Sequence, residues 1–169
     1  MTIHLLQPQS PAEWRRARRL IERYTASLKL DLSFQDLAHE LAHLEEEYGA
    51  PAGAFLLAVE DATCLGCVGL RRFSSQSGEL KRLYTVPEAR GRGIGRALAQ
   101  AIIGHAQQLG YDRLLLDTLP AMHDAQRLYV SLGFTPTDAY RFNPVPGTAY
   151  LELLLHPDVP GAALDSKGE

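Results

Sequence analysis

The sequence predicts a mixed α/β fold, a largely antiparallel central sheet flanked by helices. Three observations predict it: apolar residues at helical spacing near the N-terminus, hairpin-like runs of strand formers through the middle, and strands alternating with helices afterwards. The 169 residues, 46% apolar and 22% charged, suffice for one domain with its own core, read here as residues 1–159 followed by a loose tail over 160–169. The expected order is βααβββαβαββ.

After a short opening strand, Ser10-Pro11-Ala12-Glu13 starts the first helix with an N-cap hydroxyl, a proline at the first helical position and a glutamate placed to complete a capping box. Trp14, Ala17, Ile21, Tyr24 and Leu28 form its inward stripe. A second helix is expected from Ser33 through Phe34, Leu37, Leu41, Leu44 and Tyr48 to the stop at Gly49. Ala54 to Val59 reads as a buried strand, Cys64 to Arg72 as its hairpin partner, and Glu79 to Val86 as a third strand stopped by Pro87. A Gly/Arg loop leads into a helix from Ile94 to Leu109. Strand Arg113–Thr118, a helix from about Ala121 to Ser131, and strands over Thr135–Arg141 and Thr148–Leu155 complete the order.

Composition narrows the function. With 17 basic against 20 acidic residues the formal charge is −3, unfavourable for a general nucleic-acid binder. Two cysteines build no disulfide framework, no secretory leader is visible, and no apolar run is long enough to span a bilayer. The expectation is a cytoplasmic protein with no nucleic-acid or membrane partner, its oligomeric state open and a homodimer allowed.

Three motifs suggest chemistry. His39-Glu40-Leu41-Ala42-His43 matches the HExxH pattern of zinc hydrolases. At 100° per residue from Phe34, however, the apolar stripe centres at about 310°, whereas the histidines fall at about 140° and 180°, facing water. No metal site is expected, and a zinc hydrolase stays a remote alternative. Cys64 and Cys67 form a CxxC spacing, but on a regular strand their side chains diverge and no second pair follows. Arg90-Gly91-Arg92-Gly93-Ile94-Gly95-Arg96 fits neither the dinucleotide GxGxxG nor the P-loop pattern. It still ends a strand and opens a helix, with glycines admitting a ligand to the backbone and three arginines nearby. From Glu79 to Arg96 five basic residues face two acidic ones, so the chain is locally basic where a small polyphosphate could bind.

The stretch Glu79 to Arg96 resembles motif A of the GCN5-related N-acetyltransferase (GNAT) superfamily, a strand, then [Q/R]-x-x-G-x-[G/A], then a helix, filled here by Arg90, Gly93 and Gly95. Ala125-Gln126-Arg127-Leu128-Tyr129 through Gly133-Phe134 is similar to the family's A-x-x-LY-x-x-x-GF segment. The resemblance implies a GNAT-like acyl-CoA N-acyltransferase fold and an enzyme that moves an acetyl group from acetyl-CoA to an amine by direct attack in a ternary complex. A small-molecule amine is the expected acceptor; a catalytically silent CoA-binding regulatory module is the alternative. The resemblance places the pyrophosphate on backbone amides of Gly91, Arg92, Gly93, Ile94, Gly95 and Arg96, with Arg90 nearby, and the pantetheine arm along Leu83 and Thr85. It gives Tyr129 the role of acid for the departing thiolate. Strand parity makes Glu79 the first candidate base if no bulge intervenes, with Asp117 second. Many relatives have Asn seven residues before the tyrosine; Met122 stands there, so that contact is not carried over. Tyr140, Arg141 and Asn143, between the last two strands, are candidate acceptor contacts, with Arg141 suited to a carboxylate.

Overall fold

Every pairing in the sheet is antiparallel but one, and the exception positions the site. The computed structural model describes residues 2–32 and 36–155. Its strands are β1 (Ile3–Leu6), β2 (Ala54–Glu60), β3 (Thr63–Arg72), β4 (Ser77–Thr85), β5 (Arg113–Thr118), β6 (Thr135–Pro136) and β7 (Ala149–Leu154). They form one sheet in the order β1-β2-β3-β4-β5-β7-β6. Only β4 and β5 are parallel, which requires a crossover, supplied by α4 (Ile94–Gln108). The remaining helices are α1 (Pro11–Leu28), α2 (Leu37–Ala42), α3 (Leu44–Tyr48) and α5 (His123–Ser131).

The local signals act as expected at α1. Ser10 Oγ accepts from the Glu13 amide at 3.2 Å, and Glu13 Oε1 accepts from the amides of Ser10 at 3.2 Å and Gln9 at 2.8 Å. Two elements differ from expectation. The second helix is split at His43, whose backbone (φ −133°, ψ 39°) leaves the helical region; the expected cap Ser33 and Phe34 lie outside the described residues, as does the tail over 160–169. The strand expected over Thr135–Arg141 shrinks to Thr135–Pro136, and Tyr140 and Arg141 belong to an irregular connection. That connection holds Pro144 and Pro146, which lack the amide a ladder needs.

The helices cover both faces of the sheet. A side chain at Gly66 would meet Leu98 and Ile94 of α4, whereas one at Gly69 would meet Tyr48 of α3 and Phe55. Residues three apart on β3 point to opposite faces, so α4 covers one face and α3 the other. Tyr24 of α1 stacks on Tyr84, with ring centroids 5.1 Å apart, and Trp14 lies 6.0 Å from Phe55. Gly69 is needed for close approach: an added Cβ would lie 2.6 Å from the Tyr48 ring.

Two bulges break the alternation. On β3, Leu65 is the extra residue between Val59↔Cys64 and Ala58↔Gly66. It overturns the expected divergence of the cysteines: Cys64 stands near Arg16 and Cys67 near Tyr24, both on α1, as free thiols. On β4, Arg82 and Leu83 together oppose Val68, between Cys67↔Tyr84 and Gly69↔Lys81. Arg82 takes φ 60°, the left-handed region, at a position without glycine.

The bulge is held by an ion pair. Arg82 donates through Nε at 2.8 Å and Nη2 at 2.9 Å to the two oxygens of Glu40, and Tyr48 Oη donates to Glu40 Oε2 at 3.0 Å. Glu40 is 1% exposed and Arg82 7%. Burial alone would raise the Glu40 carboxyl, but Arg82, with Lys81 and Arg71 behind it, holds it below the ordinary carboxylate range. The glutamate of the HExxH pattern therefore points into the fold, while exposed His39 stacks on His43 at 4.2 Å. That is the reverse of the arrangement a catalytic zinc site requires.

Removing Glu40 leaves a buried guanidinium without its partner. Glu40→Ala is expected to lower the free energy of unfolding by about 3–5 kcal/mol, measured by urea denaturation at neutral pH. Because the folded carboxyl is depressed, its stabilisation is complete above the unfolded value of about 4.3 and declines as the pH falls toward the folded value. The acid-induced loss of stability should accordingly be smaller in Glu40→Ala than in wild type.

Candidate active site

The parallel ladder between β4 and β5 stops at Glu79↔Leu115, although β4 continues to Thr85 and β5 to Thr118. Past that point the strands diverge and leave a wedge in the middle of the sheet. A groove of about 810 Å³ fills its outer part, lined by Leu83, Tyr84 and Thr85, by Arg90, Gly91, Gly93, Ile94 and Gly95, and by Met122, Ala125 and Leu128. A narrow inner pocket of about 50 Å³ lies deeper, lined by Lys81, Arg82, Asp117, Met122, Tyr129 and Asn143 among others. Tyr24, Leu83 and Met122 line both, so the two cavities meet there.

The loop at the outer end combines glycines in the left-handed region with the start of a helix. Gly91 (φ 83°) and Gly93 (φ 78°) occupy the left-handed region, where a side chain would be strained. An added Cβ at either would meet nothing within 4 Å, so backbone geometry accounts for these glycines and internal packing does not. Gly93 caps α4 without any side-chain hydrogen bond, and the Ala97 amide is the one that returns to the Gly93 carbonyl, at 3.1 Å. The amides of Ile94, Gly95 and Arg96 face outward at the positive end of a 15-residue helix.

The three arginines do not share one task. Arg90 lines the groove and donates from Nε to the Thr85 carbonyl at 3.2 Å, occupying part of the strand edge expected to serve a ligand arm. Arg92 turns away to Glu60, at 3.2 and 2.5 Å, and Arg96 donates to Ser131 Oγ at 2.7 Å. The side chains of Arg92 and Arg96 therefore brace the loop and do not line the groove, leaving their amides as the contribution toward an anion.

The inner end gathers ionisable groups on the face covered by α2 and α3. Glu79 is fully buried. Its Oε1 accepts from Arg71 Nε at 3.2 Å and Arg141 Nη2 at 2.7 Å, and its Oε2 accepts from Tyr140 Oη at 2.7 Å. Both oxygens of the first candidate base are thus engaged by donors, and the bulge on whose absence the parity argument was conditional does intervene at Arg82. Asp117 accepts from Asn143 Nδ2 at 3.2 Å through Oδ2, while Oδ1 has no hydrogen bond among the described residues. Tyr129 is 6% exposed and edge-on to Phe134 at 5.6 Å; burial raises its hydroxyl well above the ordinary tyrosine value, so it stays protonated. The Arg141 guanidinium lies between the rings of Phe73 at 5.7 Å and Tyr140 at 5.5 Å.

Of the expected residues, Arg90, Gly91, Gly93, Ile94, Gly95, Leu83 and Thr85 line the outer groove and Tyr129 and Asn143 the inner pocket, whereas the Arg92 and Arg96 side chains turn away and Glu79, Tyr140 and Arg141 bond to one another outside both linings. Sequence reasoning missed Lys81, Arg82, Glu40 and Tyr24. Tyr24 was placed on the α1 stripe without a role; its hydroxyl donates to the Met122 thioether at 3.7 Å, and burial raises it to about 12. Glu40 could have been noticed, since it falls at about 240° on the wheel, beside the apolar stripe.

Comparison with known proteins agrees with this geometry. The model of the acetyltransferase (GNAT) family matches residues 14–134. An uncharacterized N-acetyltransferase of Schizosaccharomyces pombe is 40% identical over 136 residues, covering 79% of this chain and 83% of that protein. The N-acetylaspartate synthetase of Danio rerio is 34% identical over 116 residues, 66% of this chain but only 41% of the synthetase. Among solved structures, a GNAT-family acetyltransferase of Staphylococcus aureus superposes with a TM-score of 0.75 at 20% identity, covering 91% of this chain and 99% of that one. An N-acetyltransferase of Thermoplasma acidophilum in complex with coenzyme A superposes with a TM-score of 0.68 at 18% identity, covering 91% and 99%. With the family model over most of its length and a relative 40% identical, the chain belongs to the GNAT family of acetyltransferases.

Proposed function

We propose that this protein transfers an acetyl group from acetyl-CoA to the amine of a small molecule, by direct attack with both substrates bound. The observation that carries the reading is the continuous path from the outward amides of α4 to Tyr129 and Asp117. It is long at the outer end, where a nucleotide and its arm would lie, and narrow at the inner end, which favours a small acceptor over a folded protein. The N-acetylaspartate synthetases, named for an N-acetylated small amino acid, support the same preference.

The residues fit the donor. The amides of Ile94, Gly95 and Arg96 would hold the pyrophosphate, and the unpaired edge of β4 at Leu83 and Thr85 would run beside the arm, with Arg90 yielding the Thr85 carbonyl or sharing it. Acetyl-CoA would supply an activated acyl thioester, with coenzyme A leaving as the free thiol. The acceptor nitrogen forms the new C–N bond as the C–S bond breaks. Asp117, with Oδ1 open toward the inner pocket, takes the proton from the amine, directly or through a water. Glu79, held by Arg71, Arg141 and Tyr140, is better suited to orient Tyr140 and Arg141, which with Asn143 frame the acceptor. Tyr129 keeps its proton and gives it to the leaving sulfur.

Two outcomes test this reading. Acetyl-CoA should raise the melting temperature of the wild type, and Gly93→Asp should abolish that shift by placing a strained side chain and a like charge where phosphate must sit. Tyr129→Phe should keep the shift but lower kcat by about 10²–10⁴-fold, followed by thiol release. A wild type that gains the shift but releases no thiol with any amine would be a CoA-binding regulatory module.

A further inference from the structure

Lys81 is the anomaly of the inner pocket. It is 4% exposed on β4, beside the bulge, and lines the pocket together with Asp117, Tyr129 and Asn143. The other cations of this face, buried Arg82 and half-buried Arg71 and Arg141, each have a carboxylate: Arg82 has Glu40, Arg71 has Glu79 and Glu47, and Arg141 has Glu79. Lys81 has neither a hydrogen bond nor an ion pair among the described residues. Its charged neighbours are Glu79, whose oxygens are engaged by Arg71, Arg141 and Tyr140, Asp117, whose Oδ2 accepts from Asn143, and the cations Arg82 and Arg71. Burial lowers its ammonium to about 8, so near neutral pH it is still mostly protonated, a buried charge without a bonded counter-ion.

An empty ion-pair position of this kind fits an anion that arrives with the substrate. We propose that Lys81 binds the carboxylate of the acceptor, and that the acceptor is an α-amino acid. The inference rests on the transferase reading above. The bulge is what makes it possible: by inserting one residue into β4 it lets Arg82 turn to Glu40 while its neighbour Lys81 lines the same inner pocket. The small volume adds the second constraint. In a pocket of about 50 Å³, the group bound by Lys81 and the nitrogen that meets Asp117 must lie close together, as carboxylate and amine do on one carbon. Lys81 then selects the substrate by charge and Asp117 receives its proton, so two residues on adjacent diverging strands read the two ends of one short zwitterion.

The test compares L-amino acids with their carboxamides, which keep the amine and lose the charge. In a thiol-release assay with acetyl-CoA, at least one L-amino acid should show a kcat/KM at least tenfold above its carboxamide, mostly through KM. Lys81→Met should reduce that ratio at least tenfold, and Lys81→Arg should restore part of it, while both variants keep the thermal shift with acetyl-CoA. Equal use of acids and carboxamides by the wild type, or a ratio unchanged in Lys81→Met, would overturn the assignment. Should no acceptor release thiol, the transferase reading fails by itself, and the carboxylate site is judged by binding. In CoA-saturated protein an L-amino acid should then raise the melting temperature above its carboxamide, and should lose that advantage in Lys81→Met. No difference between acid and carboxamide in the wild type would refute it.

Discussion

The architecture of the site depends on one interaction, the buried contact of Glu40 with Arg82. Arg82 occupies a left-handed backbone conformation that a non-glycine residue adopts at a cost of order 1 kcal/mol or more. Two short hydrogen bonds to a carboxylate, itself held by Tyr48, offset that cost. With the bulge in place, β4 no longer runs parallel to β5 beyond Glu79, and the sheet opens where a ligand can reach backbone. The helix that supplies Glu40 is a short one, marginal by itself, and its docking is inseparable from the bulge it secures.

Charge is distributed along the wedge with a division of labour. At the outer end the attraction is carried by peptide dipoles and by Arg90, with Arg92 and Arg96 engaged as braces. At the inner end, carboxylates and guanidinium groups pair with one another, while Lys81 and one oxygen of Asp117 have no hydrogen bond among the described residues. Tyr129, in a largely apolar setting against Phe134, is kept neutral by burial. A basic loop and a balanced interior thus coexist in a chain whose formal charge is −3.

Much of the fold was legible because local signals and long-range packing agree there. The capping box of α1, the stripe of α4 and the boundaries of β5 follow from cap chemistry and periodicity alone. The glycine-arginine loop and Tyr129 were legible as a pair of motifs. What escaped was whatever depends on a bulge. Alternation along β4 gave Lys81 the same parity as Glu79 but gave no sign that Arg82 would turn to the same side, and alternation along β3 misread the cysteines. An extra residue in a strand leaves no period in the sequence, since it is dictated by partners on other elements, here Glu40 some forty positions away. The break at His43 is likewise tertiary: Glu40 and Tyr48 must both reach the sheet, and the break between them separates the two short helices that carry them.

The braced arginines carry a consequence for energetics. With Arg92 tied to Glu60 of β2 and Arg96 tied to Ser131 of α5, the loop is tethered to two distant parts of the scaffold before any ligand arrives. Little conformational freedom is then left to lose when its amides close on a phosphate, so more of the contact energy is expressed as affinity. The tethers differ in kind. Arg92–Glu60 is an ion pair at the surface and weakens with ionic strength, whereas Arg96–Ser131 involves a neutral hydroxyl. Salt therefore weakens the tether to Glu60 and leaves the one to Ser131 largely unchanged, so the two sides of the loop respond differently to ionic strength.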